Sequence, residues 1–162
     1  MRSYQEKIIS RENLVPILHS FPQKDIGFTS GTFDLLHLGH LSYLQQTKEY
    51  CKILVVGVNS DLSVKAYKSP LRPIVPEQER LALIAGLECV DYVFLFSETN
   101  NHHNIKELKP GWYFKAGDYQ LSQLSSKNLL ESYGGTIKIL SEIPHLSSTA
   151  MIQKIQGLPS SS

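Results

Sequence analysis

With two cysteines in 162 residues, the chain has no material for a disulfide framework or a multi-cysteine zinc site. Cys51 and Cys89 lie in or beside apolar segments and read as two buried free thiols. An excess of one charge is also missing. Sixteen Lys+Arg against fifteen Asp+Glu give a formal net charge of +1, which argues against nucleic acid as a partner, since counterion-release binding needs a positive surplus. The longest apolar stretch, Ile53 to Val58, is interrupted by Gly57 and falls far below the ~20 residues that span a bilayer. The first ten residues, MRSYQEKIIS, contain no secretory apolar region. These absences point to a cytoplasmic chain that engages neither membrane nor nucleic acid. What is present, 41% hydrophobic residues, suffices for one domain that buries roughly 70% of its unfolded surface.

Short β-rich runs alternate with helical patterns, the signature of an α/β domain with a mostly parallel sheet. The runs predict five strands: Ile26–Thr29, Ile53–Val58, Tyr92–Phe96, Trp112–Lys115 and Thr136–Leu140. The second is continuously apolar, which suits a central strand covered on both faces. Helices are predicted from about Leu38, after Asn59-Ser60-Asp61, after Pro76, over His102–Leu108, over Leu121–Tyr133, and from a cap at Ser148 to about Gln156. Pro70 to Pro76 holds three prolines, too many for regular structure. Residues 1–24 read as a helical segment packed on the domain, 25–156 as the domain proper, and 157–162 as a frayed tail.

The strongest chemical signal is Gly31-Thr32-Phe33-Asp34-Leu35-Leu36-His37-Leu38-Gly39-His40, where the first strand hands over to the first long helix. Unpaired N–H groups and the positive end of the helix dipole favour phosphate there, and the carboxyl edge of a parallel sheet is where ligands bind. His37 and His40 fall on one side of a helical turn, and Gly39 leaves room for close approach to the backbone. Read alone, the two histidines are equally ordinary as a cap or core residues. A zinc site would need further ligands that no second cluster supplies.

This segment resembles the GT(F/V)DxxHxGH signature of the nucleotidyltransferase superfamily that includes cytidylyltransferases and phosphopantetheine adenylyltransferase. Ser147-Ser148-Thr149-Ala150 resembles the superfamily's second mark at the start of its last helix, although by itself it reads as a plain N-cap. The resemblance implies a Rossmann-like nucleotidyltransferase fold with a five-stranded, mostly parallel sheet flanked by helices. It also implies direct in-line transfer with no covalent enzyme intermediate, which demands positioning and charge stabilisation rather than a protein nucleophile.

Successive blocks narrow the resemblance. Val58-Asn59-Ser60-Asp61-Leu62-Ser63-Val64-Lys65, Lys68, Arg72-Pro73, Glu79-Arg80, Val90-Asp91 and Phe114-Lys115-Ala116-Gly117-Asp118-Tyr119 are similar to those of the heptose 1-phosphate adenylyltransferases, in order, from about Lys7 to Ile155. This implies ATP and a sugar phosphate as substrates, Mg²⁺ as cofactor, and a homodimer or larger assembly. His37, His40 and Lys65 or Lys68 would then be catalytic. Thr32, Phe33, Gly39, Asn59, Asp61, Arg80, Gly117, Asp118, Ser147, Ser148 and Thr149 would bind the nucleotide. Asp34, Arg72 and Lys115 would face the sugar phosphate. Bland roles stand beside these: an Asx turn for Asp34, a loop salt bridge for Arg72, a solvated surface charge for Arg80, and simple packing for Trp112 and Tyr113.

Three departures bear on the acceptor pocket: Ala116 replaces a glycine, Ser69-Pro70 follows the lysine where glycine is usual, and Asn100-Asn101-His102-His103 replaces a Thr-Pro pair. The first block, GTFDLLH, resembles the glycerol-3-phosphate cytidylyltransferases equally well. Their Arg-Thr-x-Gly-Ile-Ser-Thr element is absent, however, its place being taken by Pro144-His145-Leu146-Ser147-Ser148-Thr149. A nucleotide-binding module without catalysis is the rival from another class.

Overall fold

The computed structural model describes residues 2–159. Five strands form where the apolar runs predict: β1 (Ile26–Gly31), β2 (Ile53–Asn59), β3 (Tyr92–Phe96), β4 (Trp112–Ala116) and β5 (Thr136–Leu140). All pair in parallel, in the order β3-β2-β1-β4-β5. The β1–β2 register runs from Ile26 opposite Ile53 to Gly31 opposite Val58. The chain therefore winds one way from β1 and then the other, so the crossover connections part beside β1 at its carboxyl end, the place where α/β sheets open a crevice.

Strand β2 shows why the sheet is doubly covered. Leu54, Val56 and Val58 point into one core with Tyr43 and Leu44 of α3 (Leu38–Lys48) and Leu81 and Ile84 of α5 (Glu77–Ala85). Ile53 and Val55 point into the other, with Leu14 and Leu18 of α2 (Arg11–Leu18), Ile105 and Leu108 of α6 (His102–Leu108) and Leu130 of α7 (Lys127–Glu131). All of these side chains except Tyr43, Ile53 and Leu81 are at 0% exposure, each stabilising the fold by about 1.5–3 kcal/mol. The α/β Rossmann-like architecture expected from the sequence is the one observed.

Several local expectations differ. The leading segment is two short helices, α1 (Tyr4–Lys7) and α2, rather than one, because Ile8 leaves the helix to bridge β3 at Val93. The span 121–133 is a 3₁₀ turn, Leu121–Gln123, followed by the short α7; Ser125-Ser126 lies at the break, and serines favour such ends over helix interiors. Ser147, not Ser148, caps α8 (Ser148–Gln156), its hydroxyl accepting from the Ala150 N–H at 3.1 Å. Cys51 is buried, whereas Cys89 is only half so; both thiols are free. Of the expected tail, residues 160–162 lie outside the described residues. Among the described residues no helix is long and apolar enough to cross a membrane.

Candidate active site

The turn between β1 and α3 is built under strain. Phe33 and Leu35 both take positive φ, 52° and 48°, a conformation that non-glycine residues adopt only where the surroundings enforce it. Between them Asp34 supplies the enforcement. It is 1% exposed and accepts hydrogen bonds from Ile74 N (2.9 Å), Val75 N (2.9 Å) and Arg72 Nε (2.9 Å). Burial pushes its pKa up, but these donors outweigh that and hold the carboxyl below its usual range. Asp34 therefore binds the 72–75 loop to the turn. Its carboxylate is engaged by that loop rather than held out to a sugar phosphate, although the residue still borders the cleft.

Each histidine accepts a backbone hydrogen bond at Nδ1. His37 is the N-cap of α3 and accepts from the Gly39 N–H at 3.1 Å, while His40 Nδ1 accepts from the His37 N–H at 3.4 Å. An accepting Nδ1 places the ring proton on Nε2, so both imidazoles are neutral donors aimed away from the helix. Their rings stack, with centroids 3.8 Å apart, and the edge of Phe33 meets His40. Gly39 is required sterically: a Cβ there would lie 2.9 Å from the His37 ring, displacing the cap. Burial lowers the His37 pKa, with Glu142 opposing. Burial first, then the repulsion that a protonated His37 would exert and the charge of Lys68, lower that of His40 to about 4. Its ordinary value is near 6.5, so the unfolded chain binds the extra proton first and stability is lost as pH falls from about 6.5 towards 4. Thermal unfolding of the free protein should show this decline, and His40→Gln should flatten it.

The cleft at the carboxyl edge of the sheet has two lobes of about 250 and 260 Å³. Thr32, Asp34, Lys115 and the unforeseen Ser30, Tyr113 and Tyr119 line the first. His37, Gly39, Arg72, Ser147, Thr149 and Glu142 line the second. His40, Tyr43, Lys68, Ala116 and Ser148 belong to both, and so mark the junction. Ser148 Oγ donates to the carbonyl oxygen of Asp34, which clasps α8 to the strained turn 114 residues away in sequence. Arg72 Nη2 is buried and has no hydrogen-bond partner among the described residues, leaving a donor for an anion in the second lobe. Lys115 Nζ lies over the Tyr119 ring at 4.8 Å; burial lowers its pKa, as it does that of Lys68.

Other sequence-nominated residues lie elsewhere. Lys65, on α4 (Asp61–Tyr67), and Lys68, at that helix's C-cap, are both exposed, but only Lys68 lines the lobes. Arg80 is 0% exposed: Nε donates to Val75 O, Nη1 to Thr32 O, and Nη2 to Asn59 O and Asp61 Oδ1. It faces neither lobe, and it takes Asn59 and Asp61 with it into a scaffold behind the turn. The Thr32 hydroxyl is tied to Tyr67 OH. Gly117 and Asp118 border an adjoining depression that shares Glu142 and Leu146 with the second lobe. Tyr113 stacks on Phe28, and Trp112 on Phe114. Tyr43 had a legible signal, one helical turn beyond His40. Ser30 and Tyr113 had none, because nothing local distinguishes them from other strand residues.

Neutral N–H donors at a helix start, cationic side chains around a split cleft, and a conjunction of two lobes suit transfer between phosphates, which defines the class as a nucleotide-transferring enzyme. Residues 28–156 match the cytidylyltransferase-like family, and the chain belongs to it; it is a nucleotidyltransferase. It is 40% identical over 154 residues to the bifunctional protein HldE of Syntrophotalea carbinolica, covering 94% of this chain and 31% of that one. With HldE of Geobacter metallireducens it is 44% identical over 132 residues, 82% of this chain and 27% of the relative. The chain thus spans under a third of these curated relatives. A solved structure titled as the lipopolysaccharide core biosynthesis protein of Thermoplasma volcanium is 32% identical and superposes with a TM-score of 0.61, covering 73% of this chain and 95% of that one. Pantothenate synthetase of Thermus thermophilus, at 14% identity and a TM-score of 0.57 over 91% of this chain and 70% of that one, shares the fold.

Proposed function

We propose that the chain transfers AMP from ATP to D-glycero-D-manno-heptose 1-phosphate, giving ADP-heptose and pyrophosphate. The observation that carries this is the junction: His40, Lys68 and Ser148 are common to a hydroxyl-rich lobe and a donor-rich one. Two phosphates that must react have to meet at such a place. The nucleotide occupies the second lobe, its phosphates against His37, Arg72 and the start of α8, and its α-phosphorus at the junction. The sugar phosphate lies in the first lobe beside Lys115. Its oxygen attacks the α-phosphorus in line, the bond from that phosphorus to the bridging oxygen breaks, and pyrophosphate leaves. The attacking oxygen is already ionised, so no general base is required. Nε2–H of His40 and the Lys68 ammonium stabilise the charge that grows on the phosphoryl oxygens.

Among the described residues no group of three or more His, Cys, Asp or Glu side chains is placed to hold a metal. Mg²⁺ belongs to this proposal as an ion carried by ATP, held by phosphate oxygens and water. A cytoplasmic location and a homo-oligomeric state also belong to it, the latter checked by light scattering during size exclusion.

The test is pyrophosphate release with Mg²⁺, crossing ATP and CTP against both anomers of heptose 1-phosphate and against glycerol 3-phosphate, with products identified by mass. ADP-heptose from ATP supports the proposal, and CDP-glycerol overturns it. The same assay separates the two lysines. Lys68→Ala should lower kcat/KM by at least about 30-fold, as expected for a charged contact worth about 2 kcal/mol. Lys65→Ala should change it less than about twofold.

A further inference from the structure

A chain of amides runs from the N-terminal segment to the first lobe. Arg11 Nη1 donates to Asn104 Oδ1 (2.5 Å) and to Glu98 Oε1 (2.6 Å). Asn104, 0% exposed, donates through Nδ2 to Asn101 Oδ1 at 3.0 Å. Asn101 Nδ2 donates to Ser30 Oγ at 2.8 Å and to Tyr113 OH at 3.1 Å. The direction of this chain is forced at its far end. An arginine can only donate, so Asn104 must turn its oxygen towards Arg11 and its nitrogen towards Asn101, and Asn101 must then present nitrogen to the two hydroxyls.

Both hydrogens on Asn101 Nδ2 are thereby used, and both hydroxyls receive rather than give. Neither hydroxyl gives its proton to Asn101, and the two lie side by side, as Ser30 also bonds to Tyr113. Ser30 and Tyr113 line the first lobe, where the two hydroxyls can present those protons to an oxygen-bearing ligand. Burial pushes the Tyr113 pKa up to about 12, so the phenol remains a donor across the working range.

We infer that Asn101, oriented by Asn104 and Arg11, is a positioning residue that sets Ser30 and Tyr113 as paired hydroxyl donors selecting a polyhydroxylated acceptor. This rests on the acceptor site lying in the first lobe, as proposed above. The segment Asn100–His103, unlike its counterpart in the similar adenylyltransferases, thus supplies a specificity element. It acts on the acceptor and leaves the nucleotide alone.

The test uses the full chain and compares KM for acceptor with KM for ATP. Asn101→Asp keeps size and shape but replaces the donor nitrogen by an oxygen that only accepts, so both hydroxyls turn their protons inward. Acceptor KM is expected to rise roughly tenfold, the loss of one to two hydrogen bonds, with ATP KM within twofold of the parent. Tyr113→Phe removes one donor while Asn101 keeps its bonds to Asn104 and Ser30, and should raise acceptor KM roughly three- to tenfold. Combined with Asn101→Asp it should add little, since both act through the same hydroxyl. Arg11→Lys, which still only donates, should restore the parental values that Arg11→Leu loses. An unchanged acceptor KM in Tyr113→Phe, or acceptor and ATP KM rising together, overturns the inference. If the parent protein uses glycerol 3-phosphate instead of the heptose, the heptose proposal fails by itself, and the same KM separation measured with that polyol decides this one. A parent protein that accepts no polyol phosphate overturns both.

Discussion

Replacing His40 by alanine is expected to lower kcat by about 10²–10³-fold, the range for removing one preorganised donor from a developing oxyanion. His40 is the imidazole shared by both lobes, and its Nδ1 is engaged by the His37 N–H. Nε2–H is therefore fixed in direction before substrate arrives. A donor that does not need to reorient at the moment of bond exchange contributes more than the same donor in water. Because that N–H is neutral in the free protein, the loss should appear mainly in kcat, with a modest change in KM for ATP. Folding should be nearly unaffected, since the removed capping bond is long at 3.4 Å. Steady-state pyrophosphate release alongside a melting curve checks both halves. A loss smaller than tenfold would remove His40 from the charge-stabilising role.

Arg80→Leu is expected to destabilise the protein by about 3–5 kcal/mol, the cost of stripping one partner from a buried charged network. The substitution leaves three carbonyls, of Thr32, Asn59 and Val75, without their donor, and separates Asp61 from its ion-pair partner at 2.7 Å. For a chain of this length that corresponds to a fall in Tm on the order of 10 °C. Urea titration measures it directly. Were Arg80 a ligand for nucleotide phosphates instead, Tm would hold and KM for ATP would rise. Four hydrogen bonds on a side chain with no solvent exposure favour the structural outcome.

The contrast between these two residues shows what the sequence discloses. The strands were legible because a run such as Ile53–Val58 can be accommodated only where both faces are covered, and the histidine pair was legible because its spacing is short and its position follows a strand. Arg80 was not, since the same amphipathic helix could present it to solvent or to the turn behind β1, and only the packing of α5 decides. Lys65 and Lys68 are three residues apart, yet Val64 is buried and aims α4 so that Lys65 points outward. The last cap moved by one residue because Ser148 is drawn away to the Asp34 carbonyl. The Arg11–Asn104–Asn101 relay was invisible because its links to β1 and α2 span 71 and 93 residues, distances over which no periodicity carries information.

Helix α8 has no buried residue; Met151 and Ile155 remain 38% and 57% exposed. Its attachment to the body rests largely on its amino end, where Ser148 grips the Asp34 carbonyl. Detaching it therefore forfeits little apolar contact, and its opening free energy lies far below that of β1 or β2. Amide protons in α8 should exchange with deuterium long before those of the central strands. Under the proposed reaction, with the nucleotide in the second lobe, this arm can swing clear while the sheet stays shut, and departure of a bulky diphosphate product need not wait on any loosening of the core.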